Sequence, residues 1–383
     1  MANNANANLG IAKTAKEDEF YTQLTDIEKE MRYYRKHFKG KTVLCNCDNP
    51  FESNFFKYFV LNFNRLGLKK LIATCYATSP IANQQLTLFD VIGSEEENRN
   101  KPYKAVVTKV YDKTGDGGVD MFDVAELFKA HENELVELEG NGDFRSEECL
   151  ALLDEVDIVV TNPPFSLFRD YVAMLMEHEK KFIVIGNQNA VSYREIFPLL
   201  KNNLIWMGAT FPKEFIVPKH IEGRKNIYVQ EDGTMMAKFG NVCWFTNLDI
   251  KKRHEQMILV RRYVGHEDEY PAYDNYDAIE VAKVSSIPFD YARQMGVLLS
   301  FFSVYNPDQF EIIGMTNLPE SLPGLTPIGK EWCDRYFEQG GTGHVSANMW
   351  GLVYYEGDGA AKRSYARVLI RNKHPEQPKE VQQ

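Results

Sequence analysis

The chain has 383 residues, enough to bury a large core and to form two domains or one elaborated domain. Its composition, 44% hydrophobic and 26% charged, is typical of a water-soluble protein, and its six scattered cysteines without a C-x-x-C pair favour reduced thiols in a cytoplasm over a disulfide framework or a zinc site. The net charge of −10 counts against nucleic acid as a partner without excluding it, because basic clusters remain within the acidic sum.

Both ends of the chain are polar. Residues 1–16, rich in Asn and Ala, and residues 374–383 predict disordered tails. The opening MANNANANLG has no basic segment followed by an apolar one, so we expect no secretory signal. The longest apolar run, at 297–305, is too short to cross a bilayer, and we expect no membrane partner.

From residue 42 onward, apolar strands alternate with amphipathic helices. The predicted strands are 42–47, 69–76, 157–161, 180–186 and 204–208. The predicted helices are one that follows residue 53 and ends at Gly67, one at 147–154 capped by Ser146, one at 167–178 and one near 192–200. Loops are expected at 93–102 and 112–118. Apolar strands separated by helices predict a parallel sheet with helices on both faces.

The pattern changes after about residue 211. Segment 226–240 predicts a hairpin that turns at Asp232 and Gly233, and 241–247 predicts a further strand. Residues 265–345 are rich in Tyr, Pro, Gly and Asn and show little periodicity. We therefore expect a domain boundary near residue 210, with some strands beyond it available to complete the first sheet.

The segment DIVVTNPPF (157–165) ends an apolar strand with an amide, two prolines and an aromatic ring. Ligands of open α/β sheets bind at the carboxyl ends of the strands, which is where Asn162 is expected. The prolines hold φ at about −65° and bias the residue before each of them toward extended geometry. The amide oxygen of Asn162 and the carbonyl of Pro163 are therefore two fixed acceptors, with the flat ring of Phe165 beside them.

Two acceptors beside a flat wall suit a planar ring that carries an exocyclic amine. The lone pair of such an amine is delocalised into the ring. When two acceptors take hydrogen bonds from both N–H groups, the lone pair is localised and directed toward an electrophile. Orienting a reacting pair contributes about 7–11 kcal/mol, so no strong base is needed. The alternative is a proline turn that merely ends a strand. Because the tetrapeptide directly follows a strand of an α/β sheet, we favour the catalytic interpretation.

The motif resembles that of amino methyltransferases that use S-adenosylmethionine, and Asn-Pro-Pro-Phe is the form typical of N6-adenine DNA enzymes. The chain resembles the EcoRI-type adenine methyltransferase family over most of its length, from Asp18 to Lys373. The segments that carry this resemblance are DEFYTQ (18–23), CNCDNP (45–50), SNFFKYF (53–59), LGLKKLIATCY (66–76), GDFRS (142–146), DIVVTNPPFSLFRDY (157–171), FIVPKH (215–220), YDNYDAIEV (273–281) and YARVLIRNK (365–373).

This resemblance implies a site-specific, adenine-specific DNA methyltransferase. It would transfer a methyl group from S-adenosylmethionine to the N6 amine of a flipped adenine in a short duplex site, for restriction–modification or for phage or host DNA modification. The implied fold is a Rossmann-like methyltransferase sheet with helices on both faces at 17–210, which is catalytic and binds the cofactor, and a C-terminal target-recognition region at 211–373. The implied catalytic residues are Asn162, Pro163, Pro164 and Phe165. We expect a monomer without a protein partner, in the cytoplasm of a bacterial or phage-infected cell.

The resemblance also implies where the cofactor binds. The implied cofactor-binding residues are Phe20, Tyr21, Thr22, Asp48, Pro50, Phe51, Asp143 and Phe144, and no metal is expected. Thr22 would bond the cofactor carboxylate, and Asp143 would accept from its adenine amine with Phe144 on the ring face. Asp48 is equally well explained as a turn or N-cap residue, and Asp143 as a helix cap. The segment TCYATS (74–79) offers no acid for the ribose.

The basic segment PKHIEGRKN (218–226) lies in the expected recognition region, and this position favours its interpretation as a DNA contact. Its candidate DNA-binding residues are Lys219, His220, Arg224 and Lys225, and the alternative is a solvated surface. The Met-Gly-Val-Pro usual in the family reads Met-Gly-Val-Leu at 295–298. Rival functions are methylation of RNA adenine or of protein glutamine, and a non-catalytic DNA-binding relative. Glutamine enzymes usually have a Gly-rich cofactor turn and a Tyr after the prolines, which this chain lacks.

Overall fold

The computed structural model describes residues 21–47, 50, 53–74, 102–217 and 226–376. The candidate residues outside these ranges are Phe20, Asp48, Phe51, Lys219, His220, Arg224 and Lys225. The tail expected at 1–16, most of the tail expected at 374–383 and the loop expected at 93–101 also lie outside the described residues. The chain divides into two compact units, Met1–Gln188 with Met207–Leu248, and Asn189–Trp206 with Asp249–Gln383.

Strands are interspersed with helices from residue 42 to residue 207, as predicted, and the described residues from 208 to 246 form only strands and turns. The strands are β1 (Tyr21–Thr22), β2 (Thr42–Cys45), β3 (Lys70–Thr74), β4 (Tyr103–Val107), β5 (Glu134–Glu137), β6 (Ile158–Thr161), β7 (Lys181–Asn187), β8 (Trp206–Met207), β9 (Glu214–Ile216), β10 (Ile227–Val229), β11 (Met235–Lys238) and β12 (Val242–Thr246). The α-helices are α1 (Leu24–Met31), α2 (Arg35–Phe38), α3 (Asn54–Leu61), α4 (Phe63–Leu66), α5 (Met121–Lys129), α6 (Glu147–Glu155), α7 (Phe168–Glu177) and α8 (Phe197–Lys201). The 3-10 helices are Phe165–Leu167 and Gln188–Ser192.

A mixed sheet of eight strands, in the order β5-β4-β3-β2-β6-β7-β12-β8, positions the catalytic motif. Strands β3, β2, β6 and β7 are parallel neighbours, and β2 and β6 are buried at every position. Strands β4, β5 and β12 pair antiparallel. The predicted α/β class is confirmed, and four of the predicted strands, β3, β2, β6 and β7, are parallel as expected. Strands β4 and β5 were not predicted, and with β12 they make the sheet mixed rather than parallel. Strand β12 is buried at every position, and a strand buried on both faces is apolar in either direction, so its composition does not reveal its direction.

A smaller antiparallel sheet has the order β1-β9-β11-β10. It contains the predicted hairpin, in which Ile227 pairs with Ala237. At its turn Gly233 has φ +84°, and the Thr234 N–H donates to the Asp232 carboxylate at 2.9 Å. A left-handed glycine after an aspartate is the turn chemistry that the sequence predicted, and the hairpin is confirmed.

The helix ends near the sheet are set by local side chains. The Ser53 hydroxyl accepts from the Phe55 N–H at 3.2 Å and begins α3, and the Ser146 hydroxyl accepts from the Cys149 N–H at 3.3 Å and begins α6. Gly67, with φ +63°, ends α4. These predicted ends are confirmed. The single helix expected near 192–200 is instead a 3-10 helix followed by the short α8.

The remaining part of the second unit contains a four-stranded sheet and a hairpin. Its strands are β13 (Ile279–Glu280), β14 (Gln294–Leu298), β15 (Phe310–Met315), β16 (Val353–Tyr355), β17 (Ala361–Arg363) and β18 (Arg367–Asn372), and its α-helix is α9 (Lys330–Glu338). Its 3-10 helices are Lys251–His254, Glu267–Glu269, Val284–Ser286, Leu299–Ser303 and Pro319–Ser321. The sheet has the order β13-β14-β18-β15, and β16 pairs with β17.

A buried ion pair lies in the core of this sheet. Arg367 Nη2 donates to Glu280 Oε1 at 2.5 Å, and both side chains are less than a tenth exposed. The Glu280 carboxylate also accepts from Tyr273 and, at 2.8 Å, from Ser364. A Cβ at Gly296 would lie 2.9 Å from Cζ of Tyr273, so the glycine makes room for this tyrosine. This explains the glycine of the Met-Gly-Val-Leu segment.

Candidate active site

The predicted catalytic turn begins where β6 ends, in the middle of the eight-stranded sheet. Asn162 is buried, with 9% of its surface exposed, and Pro163 is buried beside it. Pro164 and Phe165 are partly exposed, and α7 begins three residues after Phe165. The strand end therefore holds a buried amide next to an aromatic ring that solvent, or a ligand, can reach.

The two prolines differ in what their carbonyls do. The Pro164 carbonyl accepts from the Leu167 N–H at 2.9 Å and closes the 3-10 turn. The Pro163 carbonyl accepts no hydrogen bond from any residue that the structure describes. The turn thus uses one carbonyl for its own stability, and the other is available to a ligand, which is the carbonyl that the sequence singled out.

The far side of the turn is fixed by Phe168, the first residue of α7. Its ring is 2% exposed and lies 5.1 Å, between centroids, from the ring of Phe245 on β12. It also packs directly over Gly186 on β7, where a Cβ would lie 2.8 Å from Cζ of the ring. The glycine allows this close approach, and the turn is clamped against the sheet by an aromatic side chain.

The end of β2, next to β6, is tied to the same turn through Asn46. The Asn46 carbonyl accepts from the Thr161 hydroxyl, and its side-chain Oδ1 accepts from the Tyr171 hydroxyl at 2.5 Å. Burial raises the pKa of Tyr171 well above its usual value, so this hydroxyl stays protonated and remains a donor. Neither Asn46 nor Tyr171 was predicted from the sequence to be a site residue. The one available signal was a polar residue directly after the apolar strand β2.

Thr22 is the best placed of the predicted cofactor residues in the described part of the chain. It is 2% exposed, and its hydroxyl has no hydrogen-bond partner among the described residues. Its carbonyl accepts from the Asn54 side chain at 2.8 Å, which holds it at the N-terminal end of α3. Tyr21, its neighbour in β1, is partly exposed, and Pro50 is buried. A buried donor near a helix N-terminus is suited to a carboxylate.

Asp143 and Phe144 lie on the loop before α6. The Asp143 carboxylate accepts from the Arg145 N–H at 2.9 Å and from Arg145 Nη2 at 2.7 Å, and these hydrogen bonds lower the pKa of Asp143. Ser146, rather than Asp143, is the N-cap of α6. The Phe144 ring is nearly buried and meets the ring of Tyr171 edge-on at 5.0 Å. Phe144 therefore packs against Tyr171, the residue that is hydrogen-bonded to Asn46 at the end of β2.

The described ranges contain neither a candidate metal site nor a candidate membrane span. Among the residues that the structure describes, no group of three or more His, Cys, Asp or Glu side chains is placed to hold a metal ion. No helix in the described ranges is long and apolar enough to cross a membrane.

The turn after β6 thus combines a buried amide with a carbonyl that accepts no hydrogen bond from the described residues. A family model described as adenine-specific methyltransferase EcoRI matches residues 8–373. The chain belongs to this family, and the predicted family and the prediction of an adenine-specific DNA methyltransferase are confirmed.

Three curated relatives are similar over most of their length. The Type II methyltransferase M.EcoRI of Escherichia coli is 44% identical, over 85% of this chain and 96% of the relative. M.MpnI of Mycoplasma pneumoniae is 39% identical, over 79% and 83%, and M.MgeORF184P of Mycoplasma genitalium is 37% identical, over 79% and 84%. No solved structure matches the chain.

Proposed function

We propose that the chain transfers a methyl group from S-adenosylmethionine to the N6 amine of an adenine flipped out of a short, specific duplex DNA site. It would act as the modification enzyme of a restriction–modification system or of phage or host DNA modification. The observation that carries this proposal is the turn at Asn162: a buried amide and the available Pro163 carbonyl lie beside the partly exposed ring of Phe165.

The described residues fit the proposed cofactor. The buried Thr22 hydroxyl would donate to the cofactor carboxylate near the N-terminus of α3, and Phe144 would cover its adenine ring. A carboxylate has about four lone-pair sites, and the Asp143 carboxylate takes three hydrogen bonds from Arg145, which leaves capacity for one adenine N–H. When bound, S-adenosylmethionine supplies an electrophilic methyl group on a sulfonium.

The turn would activate the target amine by accepting hydrogen bonds from its two N–H groups. The Asn162 side-chain oxygen and the Pro163 carbonyl would each accept one of them, so that the nitrogen lone pair is less delocalised into the ring and points toward the methyl donor. Because the two prolines stiffen this backbone, little reorganisation is needed when the base arrives. Holding a reacting pair in this way contributes about 7–11 kcal/mol.

The target adenine must leave the duplex to reach this turn. A stacked base cannot enter a pocket at a strand end, and extruding it costs a few kcal/mol. Stacking on an aromatic side chain returns about 1–3 kcal/mol per base. Phe165 is the aromatic residue of the motif that is partly exposed, and we assign it this stacking role.

DNA recognition is proposed for 211–373, with catalysis and cofactor binding at 17–210 in a Rossmann-like sheet that has helices on both faces. Within the recognition region the candidate DNA contacts are Lys219, His220, Arg224 and Lys225. A protein that neutralises phosphates releases counterions, so its DNA affinity falls as the salt concentration rises. We propose a monomer that works in the cytoplasm, where its DNA substrate is present.

Methyl transfer from a donor with a labelled methyl group tests the proposal. The full chain is incubated with labelled S-adenosylmethionine and, in parallel, with duplex DNA, RNA or a glutamine-containing protein, with and without EDTA. We expect label in duplex DNA, recovered as N6-methyladenine, and no effect of EDTA. Label in RNA or in glutamine, with none in DNA, would replace the proposal with one of the rival activities.

A further inference from the structure

One buried residue, Asn46, forms hydrogen bonds with residues on both sides of the catalytic turn. Asn46 follows β2, and Thr161, the last residue of β6, donates to its carbonyl. Tyr171, one turn into α7, donates to its side-chain oxygen at 2.5 Å. The segment 162–167, which contains the whole motif, lies between these two donors. Asn46 therefore fixes where the turn begins and where it ends.

The register of the sheet makes this arrangement rigid. Val43 pairs with Ile158 and Leu44 with Val159 in the parallel pair of β2 and β6, so Asn46 and Thr161 lie level at the same edge of the sheet. Asn46, Thr161 and Tyr171 are 8%, 1% and 0% exposed. A buried side chain held by hydrogen bonds on both its backbone and its amide has little freedom to shift.

The same cluster touches the side of the site assigned to the cofactor. The ring of Tyr171 meets the ring of Phe144 edge-on, with centroids 5.0 Å apart and planes at 75°. Phe144 is the residue proposed to cover the cofactor adenine. A single connected set of contacts therefore runs from that residue through Tyr171 and Asn46 to the start of the catalytic turn.

We propose that Asn46, held by Tyr171 and Thr161, is a positioning residue for methyl transfer: it sets the distance and direction between the acceptors of the turn and the methyl donor. The inference rests on the proposed function, because the turn must hold the reacting amine. It assigns a purpose to a polar residue at a strand end that could otherwise be only a structural anchor.

Tyr171→Phe tests the proposal, because it removes one hydroxyl and keeps the ring against Phe144. The matched control is Tyr34→Phe. Tyr34 is also fully buried in the first unit, and its hydroxyl donates to the Glu30 carboxylate at 2.8 Å. The measurements are the single-turnover rate of methyl transfer at saturating cofactor and DNA, the dissociation constants of both ligands and the midpoint of thermal unfolding.

We expect both variants to lose thermal stability, and only Tyr171→Phe to lose single-turnover rate. A misplacement of about 1 Å lowers the rate of an oriented reaction on the order of a hundredfold, so we expect a loss of about tenfold to a hundredfold. DNA affinity should not change. Equal rates for Tyr171→Phe and Tyr34→Phe, whatever their stabilities, would show that Asn46 is only a structural anchor.

Thr161→Val removes the other donor at nearly constant shape, and it decides the question if Tyr171→Phe does not fold. Because both donors act through Asn46, the rate losses in the double variant should be less than the product of the single losses. Independent, multiplicative losses would overturn the proposal. If the parent protein methylates DNA and these variants keep its rate, this inference fails alone. If the parent methylates no DNA, the proposed function fails first.

Discussion

Replacing Gly186 by alanine should disturb the catalytic turn from behind, without changing any residue that contacts a ligand. The added Cβ would lie 2.8 Å from Cζ and 2.9 Å from Cδ2 of Phe168, and still closer to Cε2. Carbon atoms in contact prefer about 3.5–4.0 Å, so the ring must retreat by about 1 Å. Phe168 is 2% exposed and packs on Phe245, so a movement of its ring must displace buried neighbours.

The size of the effect follows from where Phe168 lies. Overpacking a core costs about 1–3 kcal/mol, which is the loss expected in the free energy of unfolding of Gly186→Ala. Because α7 begins at Phe168 and the 3-10 turn ends one residue earlier, the displacement reaches the catalytic turn. A shift of about 1 Å there should lower the rate of methyl transfer by roughly a hundredfold.

Urea unfolding and single-turnover methylation measure the two losses. The control is Gly240→Ala, because a Cβ at Gly240 meets no atom within 4 Å and should be neutral. Replacing the ring by a smaller side chain, in the double variant Gly186→Ala/Phe168→Leu, should restore part of the lost rate. If Gly186→Ala matches Gly240→Ala in both measurements, Phe168 does not position the turn and this reasoning is refuted.

Three further predictions concern Thr22 and the second unit. Thr22→Val should raise the cofactor dissociation constant, measured by calorimetry, by roughly 10- to 100-fold, because a hydrogen bond to a charged group contributes about 1.5–3 kcal/mol. Unchanged affinity would contradict the contact between Thr22 and the cofactor carboxylate. Glu280→Ala should cost about 3–5 kcal/mol in urea unfolding, because it leaves the Arg367 guanidinium buried without its carboxylate; a loss below about 1 kcal/mol would contradict this. Hydrogen bonds from the His254 ring to the carboxylates of Asp308 and Asp249 raise the pKa of His254, so its stabilising effect should be complete below about pH 6.5 and be lost as the pH rises through the raised value. A His254→Gln variant whose stability deficit is the same at acid and alkaline pH would disprove this.

Features of the fold that depend on neighbours in the sequence were predictable. The order of strand, proline turn and helix around Asn162 follows from an apolar run, two prolines and an amphipathic segment, and the structure has it. The helix start at Ser146 was predicted because a serine caps a helix through its own backbone neighbours. Helix α5 was missed, although Asp120 and Asp123 form the reciprocal hydrogen bonds of a capping box at its start.

Features that depend on contacts between residues far apart in the sequence were not predictable. Asn46 and Tyr171 are 125 positions apart, and no local pattern shows that their side chains meet. The antiparallel direction of β12 is set by its pairing with the distant strand β7, and a strand that is buried at every position has no sequence feature that reveals its direction. Gly186 is similar, because its importance comes from Phe168 on a different element. The candidate site was found from the sequence, whereas the contacts that fix its geometry required the fold.

The proposed mechanism requires Asn162 to accept a hydrogen bond from the target amine, and its direct test is the single-turnover rate of Asn162→Ala on duplex DNA. Removing one preorganised hydrogen-bonding group from an active site costs about 10²–10³ in rate. We expect a loss of at least this size with cofactor and DNA binding largely retained. The control Asn133→Ala, which removes a buried asparagine bonded to the Lys109 carbonyl in the same unit, should transfer methyl groups at the parent rate once folded. Methylation by Asn162→Ala at nearly the parent rate would contradict the two-acceptor mechanism.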